Sequence, residues 1–134
     1  MPNSIQHAIA IANSDEVVRD SFNVLLTGAG YPVCTFPSGA ALLDALHFFE
    51  PSVLLLDTQL PDFSVPSLIR DIVAATGRKL PTIVMANHAN ELPNLDQLLC
   101  DAGSLLFKPI EEHQLFAAID KAIGAIGLSP ASPE

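Results

Sequence analysis

Positive charge is scarce in this chain. Its 134 residues include six lysines and arginines against fifteen aspartates and glutamates, which gives a formal net charge of −9 at pH 7. Contacts to phosphate groups of nucleic acids need a cluster of basic side chains. The composition therefore predicts that this domain binds neither nucleic acid nor an acidic membrane surface.

The sequence also lacks tryptophan, long apolar runs and any close pair of cysteines. No apolar stretch reaches the length that a membrane span needs. Residues 1–7 are unlike a signal peptide, because no basic region is followed by a long apolar run. Cys34 and Cys100 stand far apart without the spacing of metal ligands, and their neighbours are apolar. We therefore expect buried or half-buried free thiols in a reducing, cytoplasmic compartment.

The stretch from Ser52 to Pro61 is the most informative in the chain. Four consecutive apolar residues, Val53 to Leu56, suit a strand that is buried on both faces in the middle of a parallel sheet. The run ends at Asp57. Because chemistry in open α/β sheets takes place beyond the carboxyl ends of the strands, Asp57 is a candidate site residue. The alternative is an aspartate that only forms a turn, which is also how we interpret Asp62.

Strand and helix patterns alternate along the chain. Short apolar runs predict five strands, near residues 8–12, 31–36, 53–57, 81–86 and 104–107, and a helix follows each of them. Alternation of this kind predicts a parallel sheet with helices on both faces. We expect a flavodoxin-like, doubly wound α/β fold with strand order 2-1-3-4-5, formed by residues 1–124, and a disordered tail or linker at 125–134.

This strand order makes the first and third strands neighbours. It places Asn13, Ser14 and Asp57 in one crevice. Ala86 and Lys108 stand at the ends of the next two strands along the sheet, so the sequence predicts that they border the same crevice.

These residues resemble the receiver domains of two-component response regulators over about residues 7–124. Four segments carry the resemblance. They are Leu-Leu-Leu-Asp57-Thr-Gln-Leu-Pro61, the helix opening Glu16-Val-Val-Arg-Asp-Ser-Phe22 (similar to FixJ-like members), the strand Leu80-Pro-Thr-Ile-Val-Met85, and Ala102-Gly103 followed by Phe107-Lys108-Pro109.

The resemblance implies a CheY-like fold and a role in phosphorelay signalling. In this family an aspartate takes a phosphoryl group from a histidine kinase, and a magnesium ion and a lysine offset the negative charge. By position, Asp57 corresponds to the phosphoryl acceptor and Lys108 to the lysine. A cis peptide bond would precede Pro109, and Gln59 would offer its backbone carbonyl to the metal.

The chain departs from the family pattern at the metal site. Asn13 and Ser14 replace the family's acidic pair. A single carboxylate holds magnesium weakly, because this ion sheds its water reluctantly. We therefore expect a magnesium site at Asp57 and Gln59 that is weak or absent. Asp15 and the following glutamate open a helix, where acidic residues usually act as caps.

Two further positions depart from the pattern. Ala86 replaces the Ser or Thr that hydrogen-bonds the phosphoryl group, and Leu105 stands at the aromatic switch position. These changes predict a domain that accepts a phosphoryl group slowly and transmits its presence poorly. Without a metal, Lys108 is expected to pair directly with Asp57.

The last predicted helix has a broad apolar surface. One stripe contains Leu115, Ile119, Ala122 and Ile126, with Phe116 and Ile123 beside it. A deeply packed helix would explain this pattern. The alternative is an interface at Phe116 and Ile123, in a homodimer through the fourth and fifth helices, which is a face that receiver domains often use.

Three functions stay open. The first is a receiver module that acts mainly by contact with protein partners (a histidine kinase or an effector domain). The second is a working phospho-acceptor at Asp57. The third is a small phosphatase with an aspartate nucleophile, but the dehalogenase-type phosphatases need a second aspartate where this chain has Gln59. Flavin binding is disfavoured because residues 13–16 lack glycine and the chain lacks tryptophan.

Overall fold

The computed structural model describes residues 7–87 and 103–124. The strands are β1 (Ile9–Ala12), β2 (Val33–Phe36), β3 (Val53–Asp57), β4 (Thr82–Ala86) and β5 (Gly103–Phe107). The helices are α1 (Glu16–Gly28), α2 (Gly39–Ala45), α3 (Val65–Thr76) and a C-terminal helix (Glu112–Gly124). The helix predicted after the fourth strand, Cys100 and the tail predicted at 125–134 lie outside the described residues. Cys34 is exposed on β2, so the prediction of a buried or half-buried thiol is wrong at this position.

The five strands form one parallel sheet in the order β2-β1-β3-β4-β5. This order confirms the predicted flavodoxin-like fold. Within the described ranges, no helix is both long and apolar enough to cross a lipid bilayer.

The middle strand, β3, is buried along its whole length. Its side chains alternate between two apolar clusters, because successive residues of a strand point to opposite faces. Leu54 and Leu56 belong to the cluster under α2 and α3. Val53 and Leu55 belong to the cluster under α1 and the C-terminal helix. The continuous apolar run in the sequence therefore reflects burial on both faces, as predicted.

A hydrogen bond connects the C-terminal helix to the segment that leads into β2. Tyr31 bonds to Asp120 of this helix, and burial raises the pKa of the Tyr31 phenol, with further increases from the charge and hydrogen bond of Asp120. The phenol therefore stays protonated and donates to the carboxylate. This contact supports the placement of the helix against α1 and the sheet.

Candidate functional site

Polar residues meet at the carboxyl edge of the sheet. Asn13 follows β1, Asp57 ends β3, and Lys108 follows β5. Since β1, β3, β4 and β5 are consecutive neighbours in the sheet, these side chains converge, as the sequence predicts. Asn13 and Asp57 are almost completely buried, with relative exposures of 3% and 1%.

The Asp57 carboxylate is engaged at both oxygens. Its Oδ1 accepts a hydrogen bond of 2.7 Å from the backbone N–H of Gln59. Its Oδ2 accepts one of 2.9 Å from the side-chain amide of Asn13 and lies 2.6 Å from Nζ of Lys108. The negative charge of this buried group is therefore compensated by one cation and by hydrogen-bond donors.

The amide of Asn13 has only one favourable orientation. Its Oδ1 accepts a 2.8 Å hydrogen bond from the backbone N–H of Asp15, and its Nδ2 donates to Asp57. In the flipped amide, Nδ2 would face the N–H donor of Asp15 and Oδ1 would face the acceptor oxygen of Asp57. Asn13 therefore acts as a fixed donor toward the carboxylate, and its correspondence to an acidic residue of the family stays a prediction.

Ser14 contacts the backbone carbonyl of Gln59, which is the other group that was predicted to bind a metal. Its hydroxyl donates a 3.3 Å hydrogen bond to the backbone carbonyl of Gln59. This bond joins the end of β1 to the loop after β3. Asn13 and Ser14, the two residues predicted to replace the acidic pair, thus both contact β3 or its loop as hydrogen-bond donors.

Asp15 is occupied as a helix cap. Its Oδ1 accepts hydrogen bonds of 2.9 and 3.4 Å from the backbone N–H groups of Val17 and Val18, at the start of α1. This arrangement confirms the capping interpretation of Asp15 and directs its carboxylate to the helix terminus.

The residues of this crevice do not fit a magnesium ion. Magnesium favours several oxygen ligands in near-octahedral geometry, whereas the oxygens of Asp57 and the carbonyl of Gln59 already accept hydrogen bonds from the protein. No group of three or more His, Cys, Asp or Glu side chains that could hold a metal occurs within residues 7–87 and 103–124. The donor set suits a carboxylate that is neutralised by the protein itself.

Ala86 and Leu105 both lie in apolar surroundings. Ala86 ends β4, is fully buried and belongs to the cluster under α2 and α3, and Leu105 of β5 packs against that cluster. A methyl group cannot hydrogen-bond a phosphoryl group, and an aliphatic side chain offers no polar group to exchange between two environments. Their roles as altered switch positions stay predictions.

The peptide bond between Lys108 and Pro109 is cis, as the resemblance implied. The backbone N–H of Lys108 donates a 2.8 Å hydrogen bond to the carbonyl of Ala86. This bond ties the lysine to the end of the neighbouring strand. It therefore helps to direct the ammonium group toward Asp57.

The predicted interface residues lie on the C-terminal helix. Phe116 and Ile123 are half-buried and pack against the cluster under that helix and α1. Of the predicted stripe, Leu115, Ile119 and Ala122 are buried against the sheet, and Ile126 lies outside the described residues. Part of the apolar surface thus serves internal packing, and the interface role of Phe116 and Ile123 stays a prediction.

Asp62 has a structural role that the turn prediction did not include. Its two carboxylate oxygens accept hydrogen bonds of 3.0 and 2.9 Å from the backbone N–H groups of Gly39 and Ala40, at the start of α2. Burial raises the pKa of this carboxyl, but the backbone donors Ala40 and Gly39 oppose it, and the net pKa lies below the ordinary value. The loop after Asp57 is thereby anchored to α2.

Arg19 is a second residue that sequence reasoning missed. Its Nη1 donates a 2.7 Å hydrogen bond to the backbone carbonyl of Asn13. A basic residue in the first turns of a predicted helix carries no signal for this contact, because the partner is a backbone atom six positions earlier. The bond supports the backbone that positions Asn13.

Comparison with known proteins identifies the family. The family model described as "Response regulator receiver domain" matches residues 9–120. The chain belongs to this family. The resemblance inferred from the sequence is thereby confirmed, and the protein is a receiver domain of the two-component response-regulator type.

Two curated proteins and one solved structure illustrate the relationship. The receiver domain is 30% identical to the transcriptional regulatory protein FixJ of Bradyrhizobium diazoefficiens over 115 residues, which is 86% of this chain and 56% of that protein. It is 33% identical to the DNA-binding transcriptional regulator NtrC of Klebsiella pneumoniae over 120 residues, which is 89% of this chain and 25% of that protein. The crystal structure of FixJ-N matches with a TM-score of 0.77 and 26% identity, covering 90% of this chain and 95% of that one.

This chain thus spans about half of FixJ and a quarter of NtrC. Receiver domains of such regulators are generally signalling modules without enzymatic activity, and their partners are histidine kinases and effector domains. The family membership therefore assigns this domain to signal transduction.

Proposed function

We propose that this receiver domain acts in the cytoplasm mainly by contact with protein partners, with weak or no phosphorylation at Asp57. The observation that carries the proposal is that both carboxylate oxygens of Asp57 are already bound by other groups of the protein. Its carboxylate accepts from Asn13 and Gln59 and pairs with Lys108. The protein thus compensates this charge with its own donors.

The positions of the acidic pair support the same conclusion. A working phospho-acceptor needs a divalent cation to offset charge as the phosphoryl group approaches the carboxylate. Asn13 and Ser14 bring donors to Asp57 and to the Gln59 carbonyl instead of negative charge. Ala86 adds no hydroxyl to receive the phosphoryl group. The crevice therefore favours a single, unmodified state.

The second candidate is a phospho-acceptor that works despite these losses. It is favoured by the contact between Asp57 and Lys108, because a lysine beside the acceptor stabilises a phosphoryl group. A phosphatase is not proposed, since Gln59 offers an amide where those enzymes need a second carboxylate. Both remaining candidates place the function in a phosphorelay.

Mass spectrometry separates the two candidates. Incubation with a small-molecule phosphodonor and magnesium is expected to leave the intact mass of most molecules unchanged. The reason is that the Asp57 carboxylate is already bound by protein groups and that the crevice binds magnesium weakly. The Asp57→Asn variant serves as the control. A stoichiometric phospho-adduct that Asp57→Asn abolishes would contradict the contact-only proposal and support the phospho-acceptor.

We also propose a homodimer that uses the C-terminal helix together with the preceding predicted helix, which lies outside the described residues. Phe116→Asp or Ile123→Asp should weaken this dimer by about tenfold or more, because a charge would enter an apolar contact. Ala117→Asp, on the exposed side of the same helix, is the matched control. Sedimentation equilibrium measures the effect, and a wild type that stays monomeric at about 1 mM would oppose the proposal.

A further inference from the structure

An open groove lies on α3 and the segment that follows it. It is lined by Ile69, Arg70, Val73, Ala74 and Lys79, and its volume is about 370 Å³. Ile69 is 6% exposed and belongs to the apolar cluster under α2 and α3, whereas Val73 is 38% exposed. The apolar side chains of this groove therefore extend from the core to the surface.

The helical spacing of α3 explains why these side chains share one groove. Ile69 and Val73 are four positions apart, and Arg70 and Ala74 are four positions apart as well. Side chains at this spacing are neighbours on a helix, so the two pairs form adjacent rows. Asp71 does not line the groove, because adjacent residues of a helix do not face each other.

Positive charge is concentrated in this part of the chain. Residues 70–79 include three of the six basic residues, which are Arg70, Arg78 and Lys79, and Asp71 is the one acidic residue among them. Arg78 is paired with Glu50 and does not line the groove. The charged side chains that line the groove are therefore both cations.

The charge of Arg70 is not compensated by a carboxylate. Its guanidinium donates a 3.4 Å hydrogen bond to the hydroxyl of Ser67, which is neutral. In the part of the chain that the structure describes, Arg70 forms no ion pair. An arginine carries five N–H donors in a fork that matches a carboxylate. The groove thus offers an available cation beside an apolar surface.

We propose that this groove binds an acidic segment of a protein partner. A large apolar side chain of that segment lies in the groove, and its carboxylates lie beside Arg70 and Lys79. The volume is sufficient, because an apolar cavity of about 150 Å³ accommodates benzene. The inference rests on the proposed function, contact with protein partners, and it names one surface that makes such a contact.

The net charge of −9 is compatible with a short acidic segment at this place. Surface charges are screened over about 8–10 Å at physiological ionic strength, so a bound segment responds mainly to the groups beside the groove. A second copy of the chain would instead bring the same large net charge with it. A small-molecule site encloses most of its ligand, whereas Val73 and Ala74 leave this groove open to solvent.

Amide NMR titration of the whole chain tests the contact. The probe is a short synthetic peptide, blocked at both ends, in which a phenylalanine and a leucine stand between pairs of glutamates. We expect saturable shifts centred on residues 69–79, with a dissociation constant below about 1 mM. A peptide with lysines in place of the glutamates should leave these residues unshifted. A peptide with serines in place of the two apolar residues should bind at least about tenfold more weakly.

Variants with matched controls separate the apolar and the charged parts of the contact. Val73→Glu places a carboxylate in the groove and should weaken binding at least about tenfold. Val24→Glu adds the same charge at a valine of α1 that is 75% exposed, and it should change binding by less than about twofold. Arg70→Gln should weaken binding about fivefold. Lys121→Gln, at an exposed lysine of the C-terminal helix, should have no such effect.

Three results would overturn the proposal. The first is an acidic peptide that leaves residues 69–79 unshifted at about 1 mM, and the second is equal weakening by Val73→Glu and Val24→Glu. The third is a different occupant, shown by concentration-dependent shifts of residues 69–79 without peptide (a second copy) or by tighter binding of dodecanoate than of the peptide (a small amphiphilic anion).

The phosphodonor assay at Asp57 distinguishes this proposal from the proposed function. Peptide binding together with a stoichiometric phospho-adduct would keep the groove as a contact surface and contradict the contact-only function. An unmodified Asp57 without peptide binding would overturn the groove alone.

Discussion

Replacing Asn13 and Ser14 together with aspartate is expected to make the stability of this receiver domain depend on magnesium. In the natural chain both side chains donate hydrogen bonds, to Asp57 and to the carbonyl of Gln59. Two aspartates would remove these donors and add carboxylates beside Asp57, which together form the hard oxygen ligands that magnesium prefers. The Tm of the variant should rise by about 5 °C when magnesium is about tenfold above its dissociation constant.

Without magnesium the double variant should be less stable than the natural chain. It loses the hydrogen bond between Asn13 and Asp57 and places like charges together in a buried crevice. We expect a loss of about 1–3 kcal/mol in the free energy of unfolding. The Tm of the natural chain should change by less than about 1 °C over the same magnesium range.

A matched control distinguishes a metal site from a general effect of charge. Ser21→Asp with Asn23→Asp adds the same two charges to the exposed face of α1, and its Tm should not respond to magnesium. Amide NMR titration then locates the ion, with the largest shifts expected near residues 13, 14, 57 and 59. Saturable binding to the natural chain with a dissociation constant near a millimolar or below would contradict our interpretation of this crevice.

Removing the charge of Lys108 should destabilise the domain. Nζ of Lys108 lies 2.6 Å from Oδ2 of Asp57, whose side chain is 2% exposed. In Lys108→Met the carboxylate keeps the amide of Asn13 but loses its counter-ion. A fully buried pair would lose about 3–5 kcal/mol. Because the lysine side chain is 33% exposed, water moderates the loss, and we expect about 1–3 kcal/mol in urea unfolding.

A double-mutant cycle identifies the cause of this loss. Adding Asp57→Asn to Lys108→Met removes the uncompensated charge, so the double variant should be more stable than the sum of the two single losses predicts. Lys121→Met, at an exposed lysine of the C-terminal helix, should change the free energy of unfolding by less than about 0.5 kcal/mol. Equal effects of Lys108→Met and Lys121→Met would exclude a stabilising pair at Asp57.

The fold was predictable because its signals are local. The run from Val53 to Leu56 is apolar at every position, and that pattern requires burial on two faces, which a central parallel strand provides. Alternating strands and helices then leave few topologies, since crossovers are right-handed. The placement of Asn13, Asp57 and Lys108 in one crevice follows from strand order alone, so these residues could be found without coordinates.

The hydrogen bonds within the crevice could not be predicted in the same way. An asparagine can donate or accept, and only the backbone N–H of Asp15 decides that Asn13 turns its donor toward Asp57. Asp62 gave a signal for a turn, but its partners Gly39 and Ala40 precede it by more than twenty positions. No periodic pattern in the sequence predicts these hydrogen bonds, because they form only when α2 and the loop after β3 pack together.

The amino-acid sequence by itself determined the family and the strand order, since both depend on residue type and spacing, and it predicts the loss of the acidic pair. The tertiary structure decided how the buried carboxylate of Asp57 is neutralised. It brings the donors of Asn13, Ser14 and Lys108 within bonding distance of Asp57 and Gln59. Distances between groups that are remote in the chain arise only from packing, because side-chain direction and burial are set by neighbours that the linear order does not reveal.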